Sequence, residues 1–284
     1  MLVTLPVAVR VVRESAEPQQ RRLDLAGTAL AAGALAAVTF AFVEAGRGGV
    51  GPPVLAAAAV ICLAGFVAVE RSREHPMFPL ALFRRPDFSA ANAAAGAMNL
   101  GTLGMLFVLT LYLQTVQHRS ALAAGVAVLP LFLPLTVLTP LAGRLTARVG
   151  PKPPMAAGLL IAALGVGLLV RAHAGSGYRT LLPALLLWGI GMGVLTAAVV
   201  AAAVRTVPAR RAGLASAVNN TARQAGGAIG IAAFGAVAGS AAQATTFLAG
   251  LHTDALVTVA LWLAVAVATL ALIPGAVRSP ADTA

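Results

Sequence analysis

The sequence predicts an all-α integral membrane protein with eight transmembrane helices. Three observations carry the prediction: apolar stretches of spanning length recur along the 284 residues, charged residues make up only 10% of them, and arginines gather in every second loop. A soluble domain carries about 25% charged residues. A mean hydropathy of +0.89 and a hydrophobic fraction of 59% therefore exclude a water-soluble fold of this length. The apolar runs are continuous and do not alternate with period two, which selects helices over a β-barrel.

Crossing ~30 Å of hydrocarbon takes about 20 mostly apolar helical residues. Met1 to Val9 is apolar but about half that length, and no basic residue precedes it as a signal peptide requires. Residues 1–24 are expected to be the tail of a helix that begins outside this sequence, followed by a polar linker from Glu14 to Asp24 with Pro18, Gln19 and Gln20. Two spans follow, 25–44 and 52–70, as a pair within 25–70. The loop 71–87 sets Met77, Phe78, Leu80, Leu82 and Phe83 among basic residues, and is expected to lie on the inner membrane surface. Six spans then occupy 88–274, at 88–113, 123–143, 154–172, 180–203, 212–238 and 254–274, before a short tail at 275–284. Pro130, Pro134 and Pro140 remove backbone donors and should kink the fourth span, either around a cavity or as irregular packing.

The cations set the orientation. With the first segment inside, alternate loops place fifteen Lys and Arg on the inner side and four (Arg47, Arg119, Arg171 and Arg179) on the outer, leaving Arg223 within a span. By the positive-inside rule both termini are expected in the cytoplasm, and the expected location is the plasma membrane. The net charge of +11 reads as anchoring against anionic lipid, and no nucleic-acid partner is expected, because aromatics do not interleave with the basic residues. Cys62, the one cysteine, has no partner for an internal disulfide.

Four stretches together resemble the major facilitator superfamily, in its fourteen-helix drug:proton antiporter branch (the EmrB/QacA type). The first runs from Glu70-Arg71 through His75-Pro76 to Leu80-Ala81-Leu82-Phe83-Arg84-Arg85 and Phe88-Ser89-Ala90-Ala91-Asn92. The second is Leu129-Pro130, then Pro140-Leu141-Ala142-Gly143-Arg144-Leu145, ending at Val149-Gly150-Pro151-Lys152. The third is Val207-Pro208-Ala209-Arg210-Arg211-Ala212-Gly213-Leu214-Ala215-Ser216, and the fourth Asn220-Thr221-Ala222-Arg223-Gln224-Ala225-Gly226-Gly227-Ala228-Ile229-Gly230. The resemblance implies that residues 25–70 are the branch's central pair and 88–274 the C-terminal six-helix bundle. A preceding N-terminal bundle would be needed in cis or as a partner chain. It also makes Gly143, Arg144, Arg148, Gly150 and Lys152 an inner-loop gate motif, although Ala147 stands where the family usually carries an aspartate.

Arg223 is the sharpest candidate residue. It falls about ten residues into its span, roughly 15 Å deep, where a cation costs about 2.5–3.5 kcal/mol and must face protein or a water-filled cavity. Ser216, Asn220, Arg223 and Gly227 share one stripe. Two readings stand: a cavity wall or gate touching substrate, or a clamp bonded to neighbouring carbonyls. Asn92 and Asn99, seven residues apart on one face, either line the substrate path or hydrogen-bond across helices. With Asn220, Arg223 and Gln224 they complete the cavity candidates. Gly189/Gly193, Gly226/Gly230 and Gly235/Gly239 have the spacing for close helix packing.

Enzyme signals fail. His75, His118, His173 and His252 are scattered without metal-ligand spacing, and Gly189, Gly191 and Gly193 follow no strand. No cofactor, metal or catalytic residue is expected. No carboxylate is expected mid-membrane, with Glu44 and Asp254 placed at outer span ends. The resulting expectation is export of small molecules by alternating access, driven by protons, with membrane lipid and the missing bundle as partners. The alternative is a non-transporting membrane fragment or structural half that needs a separate N-terminal partner.

Overall fold

The computed structural model describes residues 25–46, 51–72, 80–239 and 243–274. The expectations for residues 1–24 and 275–284, and for Met77 and Phe78, lie outside them. Eight α-helices run through the described residues: α1 (Leu25–Gly46), α2 (Pro52–Ser72), α3 (Pro86–Leu111), α4 (Ala121–Val149), α5 (Lys152–Gly167), α6 (Tyr178–Arg205), α7 (Ala212–Ala238) and α8 (Ala244–Leu272). A π-helical turn, Tyr112–Val116, extends α3, and a 3-10 turn, Leu168–Arg171, extends α5.

Helix starts follow the local chemistry. Prolines open α2 and α3, where the missing N–H costs nothing. At α3, Asp87 pairs with Arg85 at 3.0 Å and accepts from the Phe88 N–H at 2.9 Å, a carboxylate in the first turn that complements the helix dipole. Ser120 caps α4 by accepting from Ala123 N–H at 3.2 Å. Along the helices, Thr39, Thr110, Thr136, Thr196 and Thr253 donate their hydroxyls to the carbonyl four residues back, which satisfies them without water.

Among the described residues seven helices are long and apolar enough to cross a membrane: α1, α2, α3, α4, α5, α6 and α8. The eighth, α7, has the length at 27 residues, and Asn219, Asn220, Arg223 and Gln224 dilute its hydropathy. It nevertheless packs inside the bundle, with Gly226, Gly227 and Gly230 buried.

Two parallel helix pairs form the bundle's frame. α3 lies along α7, Asn92 level with Asn219, Gly96 with Gly226, and Leu100 with Gly230. α4 lies along α6, Leu131 level with Gly189 and Pro134 with Gly193. α5 packs on α6, with Gly165 against Trp188 and Gly158 against Gly191 and Leu195, and α8 closes the bundle on α3 and α5. Trp188, Trp262, Tyr112, Phe88 and Phe247 are fully buried. α1 and α2 form a hairpin whose attachment to the bundle is α1 on α7, Gly46 against Ala236.

Three expectations need correction. The last helix begins at Ala244, ten residues before the expected 254, so Asp254 lies within the helix and not at its outer end. Thr253, just before the expected start, is helical and returns its hydroxyl to Ala249 O of its own helix. Gly235/Gly239 is not a packing pair: Gly239 sits beyond the end of α7 at φ 70, with open space around it. Finally, α4 runs on to Val149 past the expected 143, so Gly143, Arg144 and Arg148 are helical.

Candidate functional site

The polar residues of the α3–α7 seam are brought together by the glycines beneath them. A Cβ at Gly226 would overlap the Gly96 carbonyl, and one at Gly230 the Leu100 carbonyl, so only hydrogen lets the two backbones meet. At the end of this contact nearer the start of both helices, Asn219 is 1% exposed and donates Nδ2–H to Asn92 Oδ1 at 3.3 Å. Asn92 in turn donates to Phe88 O at 2.8 Å. Asn92 thus bonds across helices, one of the two roles its position allowed.

One turn beyond Asn219, Arg223 is half-buried. Its Nε is enclosed and has no hydrogen-bond partner among the described residues. Asn220 and Gln224 are exposed, and so is Thr221, whose hydroxyl returns to Ala217 O at 3.0 Å. Asn99 is half-buried on α3, two turns past Asn92. The candidates therefore divide: Asn92 is locked in the seam, Arg223 stands at its edge, and Asn220 and Gln224 form an uncovered polar surface. α1 packs farther along α7, at Ala236, and leaves that surface open.

Asn219 is the residue the sequence pattern should have surrendered. It precedes Gly226 by seven residues, so it shares the face that the glycines mark as packed.

The stretch expected to be an inner-loop motif forms a helix junction. Gly150 ends α4 at φ 83, in the left-handed region that favours glycine, and its N–H bonds Thr146 O at 3.0 Å. Arg205, at the end of α6, donates to the same carbonyl at 3.3 Å. Gly143 is half-buried and 3.9 Å, from where its Cβ would sit, to Ala197; Arg144 and Arg148 are exposed, and Lys152 is half-buried. Nearby, Leu82 and Phe83 pack against Phe88, Ala215 and Val218, with Phe83 and Phe88 edge to face at 5.1 Å.

Opposite the arginine-rich end, hydrogen bonds bind the loop 172–177 to the bundle. Tyr112 OH donates to His173 O at 2.6 Å, Gln117 Nε2 reaches Tyr112 OH and Ser176 O, and His252 Nε2 lies 2.8 Å from Ala172 O. Arg119 stacks over the Tyr178 ring at 5.7 Å. Among the described residues no group of His, Cys, Asp and Glu could hold a metal ion.

Eight long helices, two glycine-stitched parallel pairs and a polar helix within the bundle describe a multi-pass helical bundle. Residues 3–231 match the Major Facilitator Superfamily. The chain belongs to the major facilitator superfamily. As a chain of this superfamily it has an all-α integral membrane fold and is a multi-pass membrane protein. It is 37% identical over 229 residues to the puromycin resistance protein pur8 of Streptomyces alboniger, covering 78% of this chain and 46% of that one. It is 32% identical over 237 residues to the multidrug resistance protein Stp of Mycobacterium tuberculosis, covering 82% and 44%. The tetracenomycin C resistance and export protein of Streptomyces glaucescens is 31% identical over 228 residues, covering 79% and 42%. The chain spans under half the length of these curated relatives.

Proposed function

We propose that this major facilitator chain is the C-terminal part of a plasma-membrane exporter of small molecules, of the fourteen-helix EmrB/QacA type. It would work by alternating access and be driven by protons, with an N-terminal bundle in cis or as a partner chain. The resistance and export functions named for the relatives support the substrate class. In this reading α1 and α2 are the central pair, α3 to α8 the C-terminal bundle, and the arginine-rich helix ends face the cytoplasm with both termini.

The observation that carries the proposal is the polar surface of α7. Asn220 and Gln224 are exposed and Arg223 is half-exposed, on a helix flanked by apolar spans. Lipid cannot accept such a surface, because polar groups in hydrocarbon are costly unless they face protein or water. A water-filled path closed by a second bundle satisfies it, and a transporter of this kind holds its site between two such bundles. Arg223, whose Nε has no hydrogen-bond partner among the described residues, offers its guanidinium to that path, and Asn99 lies on the adjoining helix.

The test is Arg223→Gln in the intact transporter, with insertion and abundance matched to wild type. Efflux is expected to fall about tenfold, the change that follows from about 1.4 kcal/mol of lost transition-state stabilisation. Unaltered efflux across several substrates would refute the assignment of the path to α7.

A further inference from the structure

A second buried polar group belongs to no part of the α7 surface. Asp254 is 1% exposed, and neither carboxyl oxygen has a hydrogen-bond partner among the described residues. It lies ten residues into α8, about 15 Å along the axis. Residues 250, 254 and 258 follow one another on one side of the helix. Gly250 abuts Ala238 of α7, and Thr258 and Trp262 abut Gly101 of α3, so Asp254 faces the junction of α3, α7 and α8.

Among the described residues that junction holds no partner charge. Along α3 no titratable residue occurs between Asp87 and Tyr112, whose hydroxyl is committed to His173 O. α7 has none after Arg223, and α6 none between Arg179 and Arg205. On α5 and its extension the ionisable groups are Lys152 and the exposed Arg171, at opposite ends. α8 itself adds only His252, whose Nε2 is held at Ala172 O. No ion pair to Asp254 forms among the described residues. A bare carboxylate enclosed in this way costs far more than a neutral carboxyl in the same place.

We infer that Asp254 is a proton-binding site. The carboxyl carries its proton while the junction is closed. When α8 parts from α7 at the Gly250–Ala238 contact and water enters, the O–H bond breaks, the electron pair stays on the carboxylate and the proton passes to water; closure reverses the step. The inference rests on the transport reading only for the use made of the proton, since binding does not require transport.

The experiment is infrared difference spectroscopy of the 284-residue chain in neutral phospholipid vesicles, wild type against Asp254→Asn, in light and heavy water across a pH series. Wild type should show a protonated-carboxyl band at neutral pH. That band should shift in heavy water, fade reversibly as the pH is raised, and be missing from the Asn variant. Asp254→Glu keeps the carboxyl and must move the band, which preserves the test if the Asn variant folds poorly. No band at neutral pH overturns the inference. So does a band that neither exchanges nor fades before helix content is lost, or one that the Glu variant leaves unmoved. A band that behaves as expected in a protein whose Arg223→Gln variant exports normally leaves this site standing and removes the path assigned to α7.

Discussion

Adding one methyl group at Gly226 tests the seam on which the site is built. A Cβ there would lie 2.8 Å from the carbonyl carbon of Gly96 and 2.9 Å from its Cα, with the Gly96 oxygen closer still. The obstacle is backbone, so no side-chain rotation relieves it and α7 must retreat from α3. Overpacking of this kind costs about 1–3 kcal/mol, and a backbone obstacle belongs at the upper end, about 2–3 kcal/mol. The comparison is Gly125→Ala on α4, where a Cβ meets nothing within 4 Å. Both substitutions gain the same helix propensity of about 1 kcal/mol, which cancels between them. Reversible unfolding in mixed detergent–lipid micelles, followed by helical circular dichroism, should therefore place Gly226→Ala about 2–3 kcal/mol below Gly125→Ala. A gap under about 0.5 kcal/mol would mean that α3 and α7 are not in backbone contact, and the site geometry would fall with it.

Two further outcomes follow from the same structure. A double-mutant cycle with Asn92→Ala and Asn219→Ala should return a coupling of about 0.6 kcal/mol, at most about 1.7, as found for hydrogen bonds between membrane helices; zero coupling would show that the pair does not bond. Gly150→Ala forces a Cβ into the left-handed region and should cost about 1–2 kcal/mol in thermal unfolding, and a neutral result would contradict the φ of 83 at that turn.

How far the sequence could be read depended on which physical signal each residue carried. Apart from the far end of α4, apolar length located α1 to α7 to within a few residues, because hydrocarbon thickness is a constraint every span must meet. It failed at the start of α8, where Thr246, His252 and Thr253 fell before the expected span and Asp254 at its outer end. The structure shows Thr253 satisfied by its own helix and the aspartate enclosed by neighbours, and a hydropathy window registers neither arrangement. Arg223 stood out because an isolated cation within a span is rare. Asn219 did not, since it sits beside the equally polar Asn220 and only tertiary packing separates the buried one from the exposed one. Gly226 and Gly230 were legible as a pair, whereas Gly235 and Gly239 had the same spacing and a different fate. Spacing reports a shared face, and it does not report where a helix stops.

α4 has an unequal set of attachments. Its carbonyls at Leu131 and Pro134 receive Gly189 and Gly193 of α6, and Arg205 at the end of α6 ties to Thr146 of α4. Its contact with α5, the next helix in the chain, is slight by comparison. Leu122, Val126, Leu133 and Val137 leave its far side uncovered. Mechanically, α4 is a passenger of α6: a tilt of α6 carries it along, and the strain of that motion collects at the Gly150–Pro151 corner, where the chain turns into α5.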